Sequence, residues 1–128
     1  MKKVLLIFDN PQELEFIEYN LSENGFRVFT AVNLEDALKK AEEIIPDLIV
    51  LNTLDTQQEK VRFSSLLKAK QLDNVLLLCL TELEDYLNAS SKKHLVIKPV
   101  RPKLLLSLIR GIMNHEEINW LLAVHADD

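Results

Sequence analysis

Five apolar runs recur along the 128-residue chain, and each is followed by a stretch of helical spacing. This alternation predicts a parallel β-sheet covered by helices on both faces. The first run, Val4 to Phe8, is apolar without a break. Strict alternation would mark a strand with one wet face, whereas an unbroken run suits a strand buried on both. Arg27 to Thr30, Asp47 to Asn52, Val75 to Leu80 and Leu95 to Ile97 supply four further strands. Parallel neighbours need crossover connections, and right-handed crossovers leave few topologies. Binding sites in such sheets form where strands end, near the point at which strand order reverses. The residues to weigh are therefore Asp9, Asn52, Cys79 or Thr81, and Lys98.

The helices are marked by their ends. Asn10 is placed to cap the first, Pro11 suits its opening position, and Glu13 completes a capping-box-like pattern. Leu14, Ile17 and Leu21 form its inner face, and Gly25 stops it by taking a left-handed conformation. Asn33 caps a second helix whose inner face is Ala37, Leu38, Ala41 and Ile45. Asp55 or Thr56 caps a third, running to about Lys70. Glu82 to Ser90 reads as a short fourth, and Pro102 opens a fifth through Leu105, Leu108, Ile109 and Ile112. Residues 1–114 then form the domain body, and 115–128 a C-terminal extension with the makings of a short helix. In the extension, Glu116 and Glu117 break the phase before a new apolar group around Trp120. That group either folds back on the domain or serves as an interface.

Composition removes several function classes. With a net charge of −5 and no basic cluster longer than Lys92-Lys93-His94, direct nucleic-acid binding is not expected. No run approaches the roughly 20 apolar residues that span a bilayer. The run after Met1-Lys2-Lys3 is too short for a signal peptide, and Asp9-Asn10-Pro11 ends it. The one cysteine, Cys79, cannot form an internal disulfide, so no oxidising compartment is required. A cytoplasmic location is the expectation. His94, His115 and His125 lack metal-ligand spacing, and no glycine-rich phosphate loop, metal-binding cysteine pair or nucleophile elbow occurs.

Three blocks carry a specific resemblance. They are Lys3 to Pro11 (KVLLIFDNP), Pro46 to Asn52 (PDLIVLN) and Lys98 to Pro102 (KPVRP). In this order they resemble the receiver domains of bacterial response regulators, over residues 3 to about 113. The resemblance implies a doubly wound, flavodoxin-like α/β fold with a five-stranded parallel sheet in the order 2-1-3-4-5. It also implies a place in two-component phosphorelay signalling. In that family two acids after strand 1 and an aspartate after strand 3 hold magnesium. The strand 3 aspartate takes phosphate from a partner's phosphohistidine, while a Thr or Ser after strand 4 and a lysine after strand 5 contact the phosphoryl group. Hard oxygen ligands hold the cation, and cation and lysine offset the phosphate charge.

This chain departs at most of those positions. Phe8 stands where the first acid belongs, Asp9 at the second, and Asn52 at the phosphoacceptor. A neutral amide oxygen is a poor nucleophile, and one carboxylate of three leaves a weak or lost magnesium site. Cys79 or Thr81 fills the strand 4 position, Lys98 the strand 5 position, and Leu95 the place where many receivers carry a switching aromatic. The resemblance implies a cis peptide before Pro99. Lys98 is expected to bond the side chain of Asn52 or Asp9, and Phe8 to pack among apolar neighbours. The blander readings are a structural lysine at 98, a helix-capping or lysine-pairing role for Asp9, an N-cap at Asp55 and a buried, inert Cys79.

The function expected is a pseudo-receiver with no catalysis and no cofactor, bound to a histidine kinase or output protein, with homodimerisation open. One alternative is a divergent receiver still phosphorylated at Asp9 or Asp55. Another is a flavodoxin-like small-molecule binder, disfavoured because two glycines leave little room for backbone to approach a ligand.

Overall fold

A computed structural model describes residues 1–88, 95–98 and 101–114. Its elements alternate as the apolar runs dictate: β1 (Lys3–Phe8), α1 (Pro11–Glu23), β2 (Arg27–Ala31), α2 (Leu34–Ile44), β3 (Leu48–Asn52), α3 (Gln57–Ala69), β4 (Leu76–Thr81), α4 (Leu83–Asn88), β5 (Leu95–Ile97) and α5 (Pro102–Met113). All neighbouring strands are parallel, in the order β2-β1-β3-β4-β5. Strand order reverses at β1, so the ends of β1 and β3 flank the switch point.

The pleat divides the core in two. Leu6, Phe8, Val50 and Leu80 point to one side and pack with Ile17 of α1 and Ile109 of α5. Ile7, Leu51 and Cys79 point to the other and pack with Ala41 of α2 and Phe63 of α3. Burial of each large side chain stabilises by about 1.5–3 kcal/mol, which is why the inner strands are apolar on both faces.

The helix starts follow their caps. Asn10 Oδ1 accepts from the N–H groups of Gln12 and Glu13, and Asn33 Oδ1 accepts from Asp36 N–H. Gly25 ends α1 at φ +87°. One expectation is resolved and one needs correction. Of Asp55 and Thr56, it is Thr56 that caps α3, in a reciprocal capping box with Glu59. Ile45 is not part of the inner face of α2: it is the left-handed C-cap at φ 48°, and it is exposed.

Candidate functional site

β1 and β3 run in a register that sets Phe8 beside Asn52. The Phe8 side chain turns down into the α1–α5 core and is 8% exposed. It packs among apolar neighbours as expected, but it does not line the cleft above, so the first acid position is absorbed by the core. Asp9 N–H donates to Asn52 O at 3.1 Å, tying the two strand ends together. The Asp9 carboxylate in turn accepts from Leu54 N–H and holds the loop after β3.

The open cleft over these ends has a volume of about 720 Å³ and is lined in part by Asp9, Glu13, Asn52, Leu54 and Lys98. Glu13 is the member that sequence reasoning missed. The capping-box pattern assigned its side chain to the helix start. Instead the Asn10 cap fixes the first turn of α1, and the Glu13 carboxylate reaches across to accept from Asn52 Nδ2. Burial raises the Glu13 pKa above its ordinary 4.5, while the Asn52 bond and the charge of Lys98 pull against that rise. The available signal was the charge itself: an acid on the first turn of α1 stands directly over the β1 and β3 ends.

Lys98 corrects an expectation. Its backbone N–H donates to Thr81 O at 2.8 Å, and its ammonium donates to Thr53 O at 2.7 Å, not to the side chain of Asn52 or Asp9. The reason is placement. The Thr53 carbonyl, one residue past the end of β3, faces the ammonium, while Asn52 turns its amide nitrogen to Glu13 and Asp9 holds Leu54 N–H.

Of the two candidates on strand 4, Thr81 ends the strand and is fully buried. Cys79 sits two residues earlier, paired in register with Leu51 and packed into the α2–α3 core. Burial pushes its thiol up to about 11, so it is an inert hydrophobe rather than a reactive group. A second missed residue is Lys60 of α3. It is buried, and its ammonium donates to Leu80 O at 3.1 Å. Desolvation lowers its pKa, and the nearby charge of Lys98 lowers it further. The period that buries Phe63 and Leu67 also turns Lys60 inward, so this signal was present in the sequence. Pro99, His94, His115, His125 and the apolar group around Trp120 lie outside the described residues.

The donor set does not fit a magnesium ion. Asn52 is neutral and turned to Glu13, Phe8 is in the core, and Asp9 and Glu13 each already accept a bond from the protein. Among the described residues no three acidic, His or Cys side chains converge.

A doubly wound parallel sheet with a polar cleft at its switch point is a receiver-type architecture. The family model TP_0454_N, described as an N-terminal domain, matches residues 1–97. The alkaline phosphatase synthesis transcriptional regulatory protein PhoP of Bacillus subtilis is 32% identical over 131 residues, covering 91% of this chain and 50% of that protein. The receiver domain of Francisella response regulator 1452 superposes with a TM-score of 0.72 at 19% identity, over 90% of this chain and 98% of the other. The response regulator TrrA, solved in complex with histidine kinase ThkA, gives a TM-score of 0.68 at 24% identity, over 88% and 99%. The chain belongs to the TP_0454_N family; its curated relatives are response regulators, and its fold is that of their receiver domains. It spans about half the length of the curated relatives it matches.

Proposed function

We propose that this receiver domain signals by binding a protein partner and is not itself phosphorylated. The observation that carries the reading is Asn52, which stands at the acceptor position with its amide nitrogen held by Glu13. An amide gives no acyl phosphate under ordinary phosphotransfer. Asp9 is a poor substitute because its carboxylate holds Leu54 N–H. The partner class is a histidine kinase or an output protein of the same pathway. TrrA, solved in complex with a histidine kinase, offers a geometric precedent for such a contact. The domain is read as non-enzymatic, cytoplasmic and without direct contact to nucleic acid, in keeping with its net charge of −5. Among the described residues no helix is long and apolar enough to cross a membrane.

The test is incubation with acetyl phosphate and magnesium, read by intact mass, followed by a pull-down with the unphosphorylated protein. The expected result is no phosphoryl adduct and a retained partner. An adduct mapped to Asp9 or Asp55 would overturn the reading.

A further inference from the structure

α2 and α3 cover the same face of the sheet. They run the same way, because each leads from the end of one strand to the start of a parallel one. Small side chains, Ala37 and Ala41, take the sheet contact of α2 and are fully buried. The larger Leu34 and Leu38 are left on the flank of that helix, half-buried, beside α3. Phe63 and Leu66 answer them from α3, and Leu66 is still 36% exposed. These four side chains line an open groove of about 410 Å³ between the two helices. Apolar surface left open in this way marks places where proteins associate.

The groove carries opposite charges on its two walls. Glu35 stands on α2 and Arg62 on α3, both exposed. Among the described residues, neither has an oppositely charged side chain within ion-pair distance. Glu59, also at the rim, is engaged in the capping box with Thr56. Further along the same helices, Lys70 does bridge to Glu42, at 2.9 Å. The chain thus closes one end of the α2–α3 seam by itself. It leaves the other end open, with one unpaired charge of each sign beside exposed leucine.

We propose that a second copy of this chain covers the groove, in a two-fold dimer whose axis runs along α2 and α3. Such an axis sets α3 of each protomer against α2 of the other at the same height. Arg62 then meets the partner's Glu35, and Glu35 meets the partner's Arg62, since a two-fold contact makes every pairing twice. Leu38 and Leu66 of both protomers fill the space between the four helices, as apolar side chains do in a helix bundle. The occupant is a second copy because the groove supplies both halves of its own complement: each wall carries the charge that the other lacks. The inference is independent of the partner-binding reading of the strand-end cleft, since no residue lines both.

The test is sedimentation equilibrium of the whole chain from micromolar to millimolar concentration, with amide NMR over the same range. A reversible dimer is expected, weakened by salt, with concentration-dependent shifts at Leu38, Arg62 and Leu66. Arg62→Glu and Glu35→Arg each set like charges together twice, and each should weaken the dimer about tenfold or more. Mixing these two variants in equal amounts restores both opposite pairings, so association should return close to that of the parent. Leu66→Asp puts a charge in the apolar centre and should abolish the dimer. Circular dichroism checks the fold of each variant, and the charge pair decides alone if Leu66→Asp does not fold. The proposal is overturned by a chain that stays monomeric throughout, by a dimer that the variants leave unchanged, or by a mixture that associates no better than its components. A monomer whose groove shifts only when another protein is added would give the groove to that protein and overturn it equally.

Discussion

Glu13 on α1 accepts a hydrogen bond from the side-chain nitrogen of Asn52 at the end of β3, joining elements 39 residues apart in sequence. The pair is matched in chemistry. A carboxylate needs a donor, and the amide at 52 supplies one; an aspartate would set two carboxylates face to face.

Asn52→Asp is therefore expected to lose stability at neutral pH, by about 1–3 kcal/mol, the usual effect of replacing a partly buried bond with a mismatch. It should also take up phosphate poorly, because Phe8 still fills the core where a second acid would stand. Adding Glu13→Gln to the variant should recover much of the stability. Urea unfolding and intact mass after acetyl phosphate treatment provide the check. An Asn52→Asp protein as stable as the parent would show that the Glu13 contact carries no weight.

The pH dependence has a definite sign. The folded pKa of Glu13 lies above 4.5, chiefly through burial. A raised carboxyl pKa means that folding takes up protons between the unfolded and folded values. Its contribution to stability is full below 4.5 and is lost as pH rises through the folded pKa. Relative to Glu13→Gln, the parent should thus grow less stable over that window and then level off. Paired denaturation curves at acid and neutral pH measure this, and an opposite slope would mean that the Asn52 bond outweighs burial.

The N-cap of α3 offers a direct comparison of adjacent residues. Thr56 Oγ1 accepts from Glu59 N–H at 3.1 Å, and the Glu59 carboxylate accepts from Thr56 N–H at 3.1 Å. Thr56→Ala should cost about 1 kcal/mol, as loss of a side-chain cap does. Asp55→Ala should change stability by less than about 0.5 kcal/mol, the ordinary range for a surface site. Thermal unfolding of the two variants distinguishes them, and a larger loss at Asp55 would reassign the cap.

What the sequence made legible was whatever rests on periodicity. The unbroken run from Val4 to Phe8 revealed a strand buried on both faces, and the ungapped match put Phe8 at the first acid position and Asn52 at the acceptor; that the two are register partners came only from the sheet. Side-chain direction was harder to read. Glu13 fits a capping box as well as a strand-end contact, and only the tertiary placement of α1 decides between them. Lys98 was expected on a side chain because side chains are what a sequence displays. The Thr53 carbonyl that holds it becomes available only because the β3–β4 ladder ends two residues earlier.

Ile45 was assigned to the helix interior by its spacing, and its real position predicts a stabilising change. It caps α2 in the left-handed region at φ 48° and ψ 72°, with its N–H donating to Ala41 O at 2.9 Å. A β-branched side chain there crowds its own backbone, at about 1–2 kcal/mol for an L-residue. The side chain is 59% exposed, so it returns little through burial. Glycine relieves the crowding and keeps the Ala41 bond, while its freer unfolded chain takes back about 0.4–1 kcal/mol. Ile45→Gly should therefore raise stability by roughly 0.5–1 kcal/mol. Ile45→Ala keeps the unfavourable conformation and should give no such gain. Chemical denaturation of both variants decides it: a destabilised glycine variant would mean that Ile45 contributes packing its exposure does not reveal.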